Sequence, residues 1–120
     1  MIQQPKAEDE YFFVEGCHIL EISNSDEDPL LSIARARVEK GERTRWHALN
    51  GARERYLILE GEGMVEVGNR DAQRVRRGDV VFIHDGERQR ICNCGEGDLI
   101  FLALCTPRFQ PEMYRDLEPL

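Results

Sequence analysis

His47 and Glu54 lie in one stretch that runs from Gly41 to Gly61. An imidazole and a carboxylate are side chains that move protons near neutral pH or bind a divalent ion. On strands, side chains alternate between the two faces. His47 then shares a face with Arg45 and Leu49, and Glu54 with Tyr56 and Ile58. Further along, Gln89 shares a face with Ile91 and Asn93. If His47 points into a barrel, the turn at Asn50-Gly51 brings Glu54 to the same interior, and Gln89 arrives from another strand. Each residue also has a plain structural reading. A lone histidine is commonly a satisfied packing residue. Glu54 sits between Arg53 and Arg55 and fits a solvated ion pair. Gln89 fits an ordinary polar strand position.

The neighbours extend the inventory. Arg45 on the inward face needs a partner, which is Glu54 or a carboxylate or phosphate of a substrate. Alternatively it lies near the strand end and snorkels to solvent. Tyr56 offers a hydroxyl to a ligand or simply packs. His84 stands at a turn, as a surface histidine or as an acid or base on the rim. Leu49 makes one wall apolar. Trp46 faces away from the pocket and reads as packing between sheets or subunits. Cys17, Cys92, Cys94 and Cys105 form no CxxC pair and no zinc-finger spacing, and read as half-buried strand residues.

The elements that must position these groups are short. Period-two alternation recurs, broken by glycine and acidic turns. The expected strands are 17–22, 30–38, 43–49, 54–60, 64–67, 72–76, 80–83, 88–93 and 98–105. Val80 to Ile83 is apolar throughout and reads as buried on both faces. Residues 1–11 read as an extended arm, and residues 107–120 as a tail with one helical turn after Pro111. The arginines from Arg35 to Arg90 are interleaved with acids and read as charged sheet faces and edges. The pattern is an all-β sandwich or barrel in a single domain, 1–120.

Composition narrows the class. The chain has 120 residues, 41% hydrophobic and 32% charged, so one domain can bury a core without a disulfide or metal staple. A formal charge of −7 argues against nucleic acid or an anionic membrane as partner. No apolar run approaches the ~20 residues of a membrane span. The start is polar and acidic, unlike a signal peptide. The expectation is a cytoplasmic protein.

Gly41, His47, Glu54 and Gly61 resemble the first motif of the cupin superfamily: glycine, five residues, His-X-His, three or four residues, Glu, six residues and Gly. Leu49 stands where the second histidine belongs. Gly78, Gly86 and Asn93 keep the spacing of the second cupin motif, with His84 in place of its proline and Gln89 in place of its histidine. The resemblance implies a cupin-type double-stranded β-helix, a small jelly-roll-like barrel. It also implies metal ligands at the positions of His47, Leu49, Glu54 and Gln89. His47, Glu54 and Gln89 would then hold a divalent ion such as Zn, Fe(II), Mn or Ni, with open positions for substrate. Tyr56 and His84 are the candidate proton-transfer groups, and Arg45, Leu49, Ile58 and Ile91 the candidate substrate contacts.

Two functions follow from that resemblance. One is a metal-dependent enzyme on a small oxygenated, anionic metabolite, a dioxygenase, isomerase or lyase. The other is a small-ligand-binding module without a metal, its pocket lined by Leu49, Ile58, Val81, Ile83 and Ile91. A sensor part of a regulator is a third, and it would need a separate DNA-binding partner. Small cupins pair as homodimers, and the arm before Cys17 is positioned to add a strand to a partner's sheet.

Overall fold

The computed structural model describes residues 2–119; Met1 of the arm and Leu120 of the tail lie outside the described residues. The strands are β1 (Tyr11–Phe13), β2 (Cys17–Ser23), β3 (Ser32–Val38), β4 (His47–Leu49), β5 (Arg53–Glu60), β6 (Glu62–Val67), β7 (Gln73–Arg76), β8 (Val80–Ile83), β9 (Gln89–Asn93), β10 (Leu99–Thr106) and β11 (Tyr114–Asp116). They form two antiparallel sheets, β1-β2-β3-β10-β5-β8 and β11-β4-β9-β6-β7. This is the jelly-roll-like barrel that the alternation and motifs imply. No helix among the described residues is long and apolar enough to cross a membrane.

Alternation sorts the core. Along β5, Glu54, Tyr56 and Ile58 are buried, and along β9, Gln89, Ile91 and Asn93 are. Ile58, Ile83 and Ile91 are each at most 1% exposed, which stabilises the barrel by roughly 1.5–3 kcal/mol per side chain. The motif residue Asn93 is structural: its Nδ2 donates to the carbonyls of Val38 (2.9 Å) and Gly97 (2.7 Å), and its Oδ1 accepts from Gly95 N–H (2.9 Å). It ties the β9–β10 turn to β3.

Four expectations change. Strand β8 is not buried on both faces. It is the edge of the six-stranded sheet, and Val80 and Phe82 on its outer face are 63% and 42% exposed. The arm is not simply extended: it holds a turn at Ala7–Asp9 and ends in β1, which pairs with β2, Tyr11 opposite Ile19. Glu10 then anchors to Arg37 (2.7 Å) and Arg35 (3.3 Å) on β3. The tail carries its turn at Pro111–Met113, but continues as β11, paired with β4. Finally, regular pairing begins at His47 rather than Arg43. The Thr44 N–H goes to Ile91 O (2.9 Å) and the Arg45 N–H to Glu15 O (2.7 Å), two different neighbours, so 43–46 forms no ladder.

Gly61, the closing glycine of the first motif, has φ +86°, and a Cβ there would stand 2.5 Å from the Asp98 carbonyl oxygen. Both a left-handed backbone and a close approach exclude a side chain. Gly61→Ala is expected to cost about 2 kcal/mol or more in denaturant unfolding. Gly97→Ala, where nothing lies within 4 Å, should change stability by less than about 0.5 kcal/mol. Equal effects of the two would refute the close-approach reading.

Candidate functional site

Every residue of β4 is buried: His47 is 2% exposed, Ala48 1% and Leu49 5%. The His47 Nδ1 lies 2.6 Å from the Arg45 carbonyl oxygen, which can only accept. Nδ1–H is therefore the donor, and Nε2 is the nitrogen left to face the cavity. Tyr114 on β11 stacks on the imidazole, centroids 5.5 Å apart and planes 21° apart.

Glu15, in the turn between β1 and β2, brings Oε2 to 3.7 Å from His47 Nε2. That approach depends on Gly16, with φ +105°, where a Cβ would lie 2.7 Å from the Arg43 carbonyl oxygen. The bare backbone lets the turn settle on residues 43–45. The Cys17 thiol also donates to Glu15 Oε2 (3.5 Å). Burial and the Glu15 charge hold the Cys17 thiol well above the usual range, so it stays protonated.

Glu54 reaches the same space from β5. It is buried, and its Oε1 has no hydrogen-bond partner. Burial pushes its pKa up to about 7; His47 opposes the rise, the Glu15 charge adds to it, and Gln89 opposes it. Gln89 is fully buried on β9 opposite His47, and its Oε1 accepts the Tyr56 hydroxyl. Its Nε2 leans toward Glu54 without a well-formed hydrogen bond. Tyr56 is itself shut into the core, where burial and the nearby Glu54 keep its hydroxyl protonated.

His47, Leu49, Glu15, Glu54 and Tyr114 line one cavity, with about 70 Å³ of room for solvent centres, several times what one water needs. Tyr11, Phe13 and Phe109 add aromatic walls, and Glu21 stands at the mouth. Three buried polar atoms gather in this region without hydrogen-bond partners: Glu54 Oε1, Gln89 Nε2 and Tyr114 OH.

The sequence-derived candidates separate into four groups. His47, Leu49 and Glu54 line the cavity, while Gln89 and Tyr56 form a layer behind it. Ile58 and Ile91 belong to the core cluster, not to the cavity wall, and so do Val81 and Ile83. Ile58 lies four residues along β5 from Glu54, roughly 13 Å deeper into the barrel. Arg45 turns away, its Nε 3.1 Å from Asp116 Oδ2 and its Nη2 3.1 Å from the Glu118 carbonyl. The irregular backbone at 43–46 breaks the alternation that would have aimed it inward. His84 is exposed and packs edge-on against Phe82, centroids 4.7 Å apart. Trp46 does face away, lying under the guanidinium groups of Arg88 (4.2 Å) and Arg90 (4.4 Å).

As a metal centre the donors are incomplete. Leu49 offers no donor atom, and the Gln89 amide oxygen is committed to Tyr56. Among the described residues no three His, Cys, Asp or Glu side chains are placed to hold one ion. The arrangement instead pairs an oriented imidazole with two carboxylates.

The buried carboxyl gives a measurable signature. A pKa raised in the fold means that stability is full below the unfolded value of about 4.5 and is lost as pH rises toward 7. Wild type is expected to lose about 3 kcal/mol relative to Glu54→Gln across that window, with no further relative change above it. Parallel stability curves for the two proteins from pH 4 to pH 8 would show that the carboxyl is not desolvated.

The geometry has counterparts. A family model for the cupin domain matches residues 34–105. The chain is 38% identical over 71 residues to an oxalate-binding protein of Thermotoga maritima; the match covers 59% of this chain and only 58% of that protein. The crystal structure of a predicted oxalate decarboxylase from Thermotoga maritima superposes with a TM-score of 0.71 at 27% identity, covering 89% of this chain and 99% of that one. The Streptomyces nucleoside dehydratase Pac13 superposes with a TM-score of 0.78 over 98% of this chain and 92% of its own, at 17% identity, a likeness of fold alone. Both motifs, the two-sheet barrel and a family match over more than half its length agree: this chain is a member of the cupin family.

Proposed function

We propose that this cupin binds a small oxygenated metabolite in the cavity between β4, β5, β11 and the β1–β2 turn, and moves a proton on it. The observation that supports this reading is that His47, its Nδ1 committed to the Arg45 carbonyl, and Glu54, its Oε1 unpartnered, line one cavity. Nε2 accepts a proton from the bound molecule while Nδ1 stays anchored to Arg45. The Glu54 carboxyl, held near neutrality in its pKa, returns a proton at the other end. Tyr114 covers the imidazole, and Leu49 closes the apolar side. Tyr56 is a positioning residue in this scheme: it holds the Gln89 amide, which in turn leans on Glu54.

A divalent transition metal is the second reading, supported by the ligand positions that the cupin motifs imply. It requires the Gln89 amide to turn its oxygen off Tyr56 and toward Glu54. The oxalate names of two relatives suit an anionic substrate on such an ion.

Proton transfer is tested by screening hydroxy- and oxo-metabolites in D2O by NMR for conversion or C–H wash-out, with chelator-treated protein. His47→Gln and Glu54→Gln are each expected to slow the reaction by roughly 10²–10⁴-fold. A turnover unaffected by both changes would overturn the assignment. Elemental analysis of protein purified without chelator addresses the second reading. Near-stoichiometric metal that disappears in a folded His47→Ala variant would establish it over the first.

A further inference from the structure

The character of the cavity wall goes beyond the proton-transfer groups. Its charged side chains are all acids: Glu15 and Glu54 inside, Glu21 at the mouth. None of its lining residues is Lys or Arg, and Arg45, the one expected there, is held outside by Asp116. The His47 Nδ1–H is spent on the Arg45 carbonyl, so Nε2 is the ring nitrogen on the cavity side. The charged groups of the wall are therefore carboxylates without a lysine or arginine partner, and the Tyr114 hydroxyl is the neutral buried group left unpaired beside them. Glu54 sharpens the point. It is nine-tenths buried, its Oε1 lacks a partner, and it lines the cavity.

Apart from Ser32 and Cys105, the rest of the wall is aromatic and aliphatic. Phe13 and Tyr114 meet edge to face, centroids 5.1 Å apart, and Tyr11 and Phe109 complete the aromatic lining. Aromatic faces carry negative electrostatic potential and attract cations. Ile19, Leu49 and Ala103 supply apolar contact for a carbon chain. An anion in this space would meet Glu15 and Glu54 with no lysine or arginine in the wall to offset them. A cation would meet carboxylates and ring faces together.

We propose that the cavity is a binding site for a small organic cation, an ammonium group on a short aliphatic chain. This rests on the reading of the cavity as the ligand site and names the class of ligand it takes. It also replaces the anionic metabolite expected from the sequence. The ammonium would supply the donor that Glu54 Oε1 lacks and pair with the Glu15 carboxylate, and its chain would lie against Leu49 and the rings.

The test uses three probes of equal length on chelator-treated protein: n-butylammonium, n-butanol and butyrate, with oxalate as a fourth. Binding is read from the NMR shifts of His47 and Tyr114. n-Butylammonium is expected to bind at least tenfold more tightly than n-butanol, with butyrate and oxalate weaker still. Glu15→Gln should weaken the ammonium about tenfold and leave the alcohol unchanged. Glu15→Lys should reverse the order of ammonium and butyrate. Butyrate or oxalate binding wild type more tightly than the ammonium would overturn the cation assignment while keeping the cavity as a ligand site. The alcohol and the ammonium binding equally would do the same. Zn2+ binding stoichiometrically and excluding the ammonium would make the cation a metal ion, and so overturn the organic class. No shift at His47 or Tyr114 with any probe would overturn the ligand-site reading itself.

Discussion

The hydrogen bond from His47 Nδ1 to the Arg45 carbonyl decides what kind of cavity this barrel has. It fixes the ring, places a proton on Nδ1, and leaves Nε2 toward the cavity, 3.7 Å from Glu15 Oε2. The acceptor is available because residues 43–46 leave the regular ladder: the N–H groups of Thr44, Arg45 and Trp46 go to β9, to the β1–β2 turn and to Glu118 in turn. A continuous strand from Arg43 would have put Arg45 inside and given the cavity a permanent cation. The break in the ladder sends that guanidinium to Asp116 and leaves the interior acidic.

An acidic interior costs stability, and the fold distributes the cost. Glu54 keeps its carboxyl inside a dry wall at a raised pKa, with Glu15 across the cavity making ionisation harder still. Such groups persist where they serve a site and the surroundings hold them. Here the surroundings are the core isoleucines beneath, the Asn93 clamp at the β9–β10 turn, and β11 folded over His47. At the places where the cupin motifs imply four metal donors, this chain has an imidazole, a leucine, a carboxyl and an amide. The amide oxygen is spent on a buried tyrosine hydroxyl. The same scaffold positions thus hold a hydrogen-bonded layer behind an imidazole and a buried carboxyl.

Strand positions were legible because burial follows a two-residue period and glycines mark the turns, so β5 and β9 present the inner faces their sequences imply. His47 and Glu54 were legible for the same reason. Arg45 was not, since alternation holds only where the ladder is regular. Val80 and Phe82 read as core because an apolar run does not reveal that its strand is a sheet edge. Glu15 escaped notice because it lies in a turn, where periodicity says nothing. Its only signal is the Glu15-Gly16 pair just before the buried Cys17, and its reach to His47 depends on backbone contact with Arg43, distant in the chain. Tyr114 escaped because a three-residue strand is too short to show a period.

The protonation state of the His47 ring tests this picture most directly. Long-range ¹H–¹⁵N correlation spectra of the folded protein assign both ring nitrogens. The expected result is a proton on Nδ1 at every pH where the barrel is folded, with Nε2 the nitrogen that gains or loses one. A spectrum showing the proton on Nε2 and a bare Nδ1 would contradict it, because the cavity would then present a donor where an acceptor is required.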